Sequence, residues 1–211
     1  MISIIMPSYL GNYQRAAKNR DVKIIRAIDS VVNQSFTDWE LVIIADGCTQ
    51  TVNIICDYLM KCSPNISLKI NGYSISKSKA WSGKPRNTGI EKAKGDFICY
   101  LDIDDIFKID HLQFISNNIK LNDWIWFDDM IYNGSDFITR KCSITNYGHC
   151  GTSNIAHKRN LSINEKPIQW PMVSHYSYDD WVFIRGLKEK QGSYIGAGGY
   201  MVGHIPDKYD V

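Results

Sequence analysis

Residues 95–112 read GDFICYLDIDDIFKIDHL: an apolar run from Phe97 to Leu101 stops abruptly in carboxylates. Asp102, Asp104 and Asp105 fall close together, and Asp110 follows shortly after. The run is short, bounded by Gly95 and apolar throughout, which suits a buried strand. Like charges concentrated at its tip repel one another, and folding gains nothing obvious from them. One partner that offsets the repulsion is a hard divalent cation. Mg2+ or Mn2+ held by one or two carboxylates completes its shell with waters and substrate phosphates. The local alternative is that Asp104 and Asp105 form a solvated turn or cap a helix starting near Ile109. Asp105 and Asp110 are assigned to that turn and helix start, and Asp102 and Asp104 to a ligand pair.

Working outward, Ile2 to Met6 is a β-branched run closed by Pro7 and reads as a first strand. Residues 21–33 place Val22, Ile25, Ile28, Val31 and Val32 at helical spacing, with Lys23, Arg26, Asp29 and Asn33 on the other face. Glu40 to Ala45 predicts a second strand ending at Asp46-Gly47. Residues 50–61 suit a helix capped by Thr51, with Ile54, Ile55, Tyr58 and Leu59 inward. Leu68 to Ile70 predicts a third strand, and residues 85–94 a helix with proline in its first turn, ended by Gly95. Trp124 to Phe127 and Asp136 to Arg140 read as further strands, and residues 179–190 as a helix through Trp181, Ile184 and Leu187.

Strands alternating with helices argue for an α/β fold with a mostly parallel central sheet flanked by helices. In such sheets ligands bind beyond the carboxyl ends of the strands. Three strand ends carry polar signals: Pro7-Ser8-Tyr9, Asp46-Gly47 and Asp102-Ile103-Asp104-Asp105. Parallel strands bring all three to one edge. The 211 residues fit a single domain. A net charge of +2 from 24 basic and 22 acidic residues, with no basic block, argues against a nucleic-acid partner. The six cysteines show no metal-ligand spacing, Cys99 sits in an apolar run, and a reduced, cytoplasmic setting is expected. The start MISIIMPSYL has no signal-peptide pattern, and no run approaches the ~20 apolar residues of a membrane span, so no intrinsic anchor is expected.

Three segments together resemble family 2 glycosyltransferases of the GT-A fold: MPSYLGNYQRA, IRAIDSVVNQSFTDWELVIIADGCTQ and KPRNTGIEKAKGDFICYLDIDDIFKIDHL. The family pattern runs P-x-Y, then S-(apolar)2-x-Q followed by E-(apolar)3-x-D-(G/N), then R-N-x-G and L-D-x-D-D. The likeness covers about residues 1–112 in the family's order and spacing. Ala45 stands where many members carry an acid, next to the retained Asp46. The resemblance implies that Pro7, Ser8 and Tyr9 line the nucleotide base and that Asp46 accepts a hydrogen bond from uracil. It implies Lys84 and Arg86 near the nucleotide and diphosphate, Asp102 and Ile103 near the ribose, and Asp104, with Asp102, on the metal.

Beyond residue 112 the likeness is looser. HYSYDDWVFIRGL, from His175, resembles the family segment that supplies the catalytic base, which implies Asp180 as base with Asp179 as its neighbour. A carboxylate across the cleft from the metal can take the proton of an acceptor hydroxyl. The other reading of Asp179-Asp180 is a favourable helix N-terminus. Trp170 and Trp181 could be sugar platforms or core aromatics. CGTSNIAHKR, Cys150 to Arg159, loosely resembles the strand and turn that border the acceptor site in this family. His204, among Gly196, Gly198, Gly199 and Gly203, is a further candidate metal ligand, on glycines that would let a tail fold over the diphosphate.

The expectation is an inverting, Mn2+- or Mg2+-dependent hexosyl- or deoxyhexosyltransferase. It moves sugar from a UDP-sugar donor to a glycan or glycoconjugate acceptor. Residues 1–112 form the nucleotide-sugar half and 113–211 the acceptor and base half of a single GT-A domain spanning 1–211. Two alternatives stand beside it: a non-catalytic sugar-nucleotide-binding domain of a longer glycan-assembly protein, and a sugar-phosphate nucleotidyltransferase. The second is disfavoured because PSYLGNYQRA lacks a glycine-rich loop after the first strand.

Overall fold

A computed structural model describes residues 1–13, 16–78, 83–133, 135–163, 165–172 and 178–203. The strands are β1 (Ile2–Ser8), β2 (Trp39–Asp46), β3 (Ile70–Ile75), β4 (Phe97–Tyr100), β5 (Ile106–Phe107), β6 (Trp124–Tyr132), β7 (Phe137–Arg140), β8 (Ile155–Lys158), β9 (Ser162–Ile163), β10 (Lys166–Pro167) and β11 (Gly192–Val202). The helices are α1 (Arg20–Val32), α2 (Thr49–Lys61), α3 (Pro64–Ser67), α4 (Gly83–Lys92), α5 (His111–Ile119) and α6 (Tyr178–Leu187).

The central sheet runs β3-β2-β1-β4-β8-β6-β11-β5, with β7 on the flank of β6. From β3 to β4 every pairing is parallel. Beyond β4 the sheet turns mixed: β8 is antiparallel to both β4 and β6, while β11 is parallel to β6 and antiparallel to β5. The mostly parallel sheet expected from the sequence thus holds for the first half and gives way to a mixed sheet in the second. The short βαβ crossovers impose parallel pairing only where helices alternate with strands.

β1 and β2 are buried along almost their whole length, as strands covered on both faces must be. Two apolar cores result. One packs α1, α2 and α5 against one face around Ile4, Met6, Ile28, Leu41 and Phe127. The other gathers Ile5, Ile98, Tyr100, Trp170, Phe183 and Leu187 on the opposite face.

Several expectations are corrected. In α1 the buried residues are Arg20, Lys23, Ile24, Ala27, Ile28 and Val31, so Lys23, expected on the polar face, is buried, while Val22 and Ile25 are 59% and 40% exposed. Apolar residues on three sides of that helix leave the period ambiguous, and the sheet selects the 24/27/28/31 stripe. Thr51 is not a cap: it lies inside α2, buried, its hydroxyl 2.8 Å from that of Ser8. Leu68 is 81% exposed, and the third strand starts at Ile70. Gly95 follows α4 rather than ending it. A Cβ there would meet Ser3 and the Met1 carbonyl at 2.6–2.8 Å, so glycine serves close packing. β8 falls within the Cys150–Arg159 segment, where the resemblance implied a strand and turn, whereas β11 was not foreseen. Of the glycines expected to let a tail fold over the diphosphate, Gly196, Gly198 and Gly199 are β11 residues and Gly203 directly follows the strand; a Cβ on Gly198 would lie 2.6 Å from the Phe127 ring.

Candidate functional site

The parallel pairing of β1 to β4 carries their carboxyl ends to one edge, and an open cavity of about 870 Å3 lies there. Its wall at the β1–β3 end is built from Ser8, Tyr9, Asp46, Lys77 and Ser78. Asp46 is 3% exposed, and its carboxylate accepts from Lys77 Nζ (2.8 Å) and the Ser78 N–H (2.6 Å). The same ammonium lies 3.8 Å from the Tyr9 ring centroid. Gly47 has φ +64°, and a Cβ there would strike the Lys77 backbone, so the turn after Asp46 requires glycine. The loop after β1 is held by buried Arg20, which donates to the carbonyls of Tyr9 (2.7 Å), Gly11 (2.9 Å) and Ala17 (3.0 Å). Lys77 escaped the sequence reading because it lies on a polar loop without a pattern.

At the β4 end the acidic cluster divides. Asp105 is 4% exposed and accepts from the Tyr200 hydroxyl and the Gly203 N–H, each at 2.7 Å. The Asp102 N–H donates to that same Tyr200 hydroxyl (3.1 Å). Asp110 accepts from the Ser35 hydroxyl (2.9 Å) at the start of α5. Asp102, Ile103 and Asp104 line the cavity. Arg86 Nη2 donates to Asp102 Oδ1 at 2.8 Å. Arg86 is itself buried, and its Nε has no partner among the described residues. Asp102 and Asp104 offer hard carboxylate oxygens at the cavity wall, which is the donor chemistry Mg2+ or Mn2+ takes. Among the described residues no group of three or more His, Cys, Asp or Glu side chains could hold a metal ion. The pair therefore suits a cation that completes its shell from substrate and water.

The third wall comes from the second half of the chain. Asp180, in the first turn of α6, faces the segment Cys150–Asn154; a Cβ on Gly151 would lie 3.1 Å from its Oδ2. Burial pushes the Asp180 carboxyl up to about 6, opposed by Arg86 and reinforced by the negative charges of Asp102 and Asp179. That places one carboxylate with a raised affinity for protons in the same cavity as Asp102, which is paired with Arg86. Arg140 completes this wall, ion-paired with buried Asp129, which also accepts from Ser153 Oγ (2.7 Å).

Pro7, Ser8, Tyr9, Asp46, Arg86, Asp102, Ile103, Asp104 and Asp180 all line the one cavity, although they come from both halves of the chain. Lys84 and Asp179 do not line it. His204 and His175 lie outside the described residues. Trp181 lines the cavity; Trp170 is 1% exposed and stacked on Phe183 at 3.9 Å, a core residue rather than a sugar platform. Two residues of the sequence pattern turn out to be scaffolding. Buried Glu40 accepts from Ser3 Oγ and the Lys94 N–H, and Gln34 bonds the Ser30 and Lys108 carbonyls and the Leu112 N–H.

Comparison with known proteins places this geometry. The model of Glycosyl transferase family 2 matches residues 3–175. The poly(ribitol-phosphate) beta-N-acetylglucosaminyltransferase TarP of Staphylococcus aureus is 28% identical over 166 residues, covering 76% of this chain and 42% of its own length. The UDP-Glc:alpha-D-GlcNAc-diphosphoundecaprenol beta-1,3-glucosyltransferase WfgD of Escherichia coli is 29% identical, covering 94% and 74%. The structure of S. aureus TarS 1–349 in complex with UDP-GlcNAc superposes with a TM-score of 0.71 at 20% identity, covering 95% of this chain and 57% of that one. The mannosyltransferase PcManGT of Pyrobaculum calidifontis, in complex with GDP-Man and Mn2+, gives a TM-score of 0.65 at 11% identity, covering 99% and 58%. The chain thus spans less than half the length of TarP and about three-fifths of these solved chains, and it shares their GT-A fold.

Proposed function

This chain belongs to glycosyl transferase family 2, and from that membership we propose that it transfers a sugar from a nucleotide-diphospho-sugar, a UDP-sugar first of all, to a hydroxyl of a glycan or other acceptor. The observation that carries the reading is the single cavity in which Asp46, the Arg86–Asp102 pair, Asp104 and Asp180 meet. The donors named in the relatives support a sugar nucleotide: UDP-Glc for WfgD and UDP-GlcNAc for the TarS complex. Residues 1–112 act as the donor half and 113–211 as the acceptor half.

In this reading Tyr9 and Asp46 receive the base, Asp46 as acceptor once Lys77 yields its hydrogen bond. Arg86 and Asp102 face the ribose and diphosphate. Asp104 and Asp102 would hold Mn2+ or Mg2+, which supplies charge neutralisation for the leaving diphosphate. The donor-set fit and the Mn2+ of the PcManGT complex support that assignment. His204 is a further proposed ligand. Asp180 takes the acceptor hydroxyl's proton while the oxygen bonds to the anomeric carbon and the bond to the β-phosphate oxygen breaks, releasing UDP. One displacement inverts the anomeric centre.

The test is UDP release from a panel of UDP-sugars, with and without Mn2+, in the wild-type, Asp104→Ala and Asp180→Ala proteins. Losses of about 10²-fold or more are expected in each variant, the scale of a removed general base. Undiminished release in both variants would sink the assignment. If GDP- or dTDP-sugars turn over and UDP-sugars do not, the uridine reading of Asp46 fails alone.

A further inference from the structure

Asn87 and Trp170 are joined twice. Asn87 Nδ2 donates to the Trp170 carbonyl (2.9 Å), and the Trp170 N–H donates to Asn87 Oδ1 (2.7 Å). The indole is buried, and its Nε1–H donates to the Tyr100 hydroxyl (3.0 Å). Tyr100 Oη lies 2.7 Å from His157 Nε2, and His157 Nδ1 lies 2.8 Å from the Lys158 carbonyl. A carbonyl can only accept, so Nδ1 carries the proton, Nε2 accepts, and the tyrosine donates onward. Backbone N–H, carbonyl and indole N–H of Trp170 are therefore all satisfied, and the ring has little freedom.

That fixed ring touches a cavity-wall residue, Arg86, and a core residue, Phe183, on the helix that carries Asp180. The Phe183 ring stacks on it, centroids 3.9 Å apart and planes 7° apart. The Arg86 guanidinium lies over it, 5.0 Å from the centroid. Phe183 follows Asp180 by one helical turn, so pinning Phe183 pins the part of α6 that carries Asp180. Arg86 is ion-paired with Asp102. The start of α4 also presses on this segment, since a Cβ on Gly83 would lie 2.1 Å from the Pro171 carbonyl oxygen.

We infer that Trp170, clamped by Asn87, is a positioning residue that sets the spacing between the Arg86–Asp102 pair and Asp180. The inference rests on the transferase reading above. It gives the Arg86-Asn87 dipeptide two jobs: Arg86 faces the cavity, and Asn87 anchors the core ring on which Arg86 and Phe183 rest. Filling a core would need only an apolar ring at position 170. Spacing needs the ring held in one pose against both partners.

The experiment compares Trp170→Phe, Arg86→Lys, the double variant and Leu161→Ala, a truncation in the same core that leaves the clamp intact. UDP release from a UDP-sugar gives kcat, and titration with UDP gives Kd. Trp170→Phe should lower kcat about tenfold or more, the scale of a small misplacement of reacting groups. UDP Kd should change by a smaller factor than kcat, because the Tyr9 and Asp46 contacts are untouched and only the Arg86 contact is disturbed. The double variant should be little worse than Arg86→Lys alone, since one acts through the other. Leu161→Ala should lower Tm yet keep kcat. Additive losses, or an equal kcat loss in Leu161→Ala, overturn the inference and leave Trp170 as core packing. Hydrogen exchange in Asn87→Ala tests the clamp without turnover: α6 amides beyond residue 180 should exchange faster, and unchanged exchange overturns it. If Asp180→Asn is fully active, the transferase reading falls, and the exchange result still decides the clamp.

Discussion

Asp180 is a carboxylate that folding makes harder to ionise, and two opposite consequences follow from that one fact. As a base it must be charged, so activity should rise with pH through about 6 and level off above it. As a buried group it costs stability when charged. The folded state binds its proton more tightly than the unfolded chain, so its contribution weakens stability as pH climbs from the ordinary carboxylate range through about 6. Asp180→Asn should therefore abolish turnover and raise Tm at pH 8, by an amount corresponding to at most about 3 kcal/mol. A Tm at pH 8 unchanged or lowered in the variant refutes the burial argument. Asp46 poses a different residue-scale problem. Its carboxylate is already occupied by Lys77 and the Ser78 N–H, so Lys77→Met should free one oxygen and change UDP affinity; an identical Kd by titration would show that the lysine stands clear of the ligand. The sequence pointed to Asp46 through its place in a pattern. It gave no sign of Lys77, whose contact with Asp46 spans a loop that has no periodicity to read.

At the scale of elements, the acidic tip of β4 is shaped by β11. Tyr200 bridges the Asp102 N–H and the Asp105 carboxylate, and the Gly203 N–H supplies the second bond to Asp105. Arg26 Nη2, beside Gly203, donates to the Asp104 carbonyl at 2.9 Å. The turn carrying Asp104 is thus held by β11 with its following residue and by α1, and the repulsion among its carboxylates is managed by burying and bonding Asp105 and by pairing Asp102 with Arg86. Asp105→Ala leaves those donors unpaired in a dry site and should cost about 3 kcal/mol, lowering Tm by roughly 6–12 °C. A shift under about 2 °C would mean that β11 holds the turn without it. That Asp105 and Asp110 serve a turn and a helix start was legible in the sequence, because they abut both. The element that bonds Asp105 was not. β11 reads GSYIGAGGYMV, and its glycines mimic a flexible tail. Glycine there permits close approach to Phe127, His111 and Lys108, which is a property of neighbours distant in sequence.

For the whole molecule, two imidazoles are sealed inside and kept neutral. Burial pulls His111 down to about 3 and His157 down to about 4, the latter partly offset by its bond to the Lys158 carbonyl. Both contribute stability that is full above about pH 6.5, the unfolded value, and is lost as pH falls toward 4. Tm should decline over that window, against the smaller opposing effect of Asp180, and His157→Gln should flatten the decline. A flat profile in the unmodified protein contradicts this. Ligand linkage provides a global check on the donor: a UDP-sugar at 100 times its Kd should add about 2.7 kcal/mol of stability.

Local pattern determined the alternation of strands and helices, the parallel first half, and the three polar strand ends, because apolar periodicity and turn chemistry act between near neighbours. It also singled out Asp104 at the tip of a strand, while Asp180 was singled out by the family resemblance of its segment. Only the tertiary structure decided that they share one cavity, that the sheet turns antiparallel at β8, and that Trp170 belongs to the core beneath the site. Those outcomes depend on pairings between residues tens of positions apart. The free energy of such pairings comes from packing and burial that no short stretch of sequence contains.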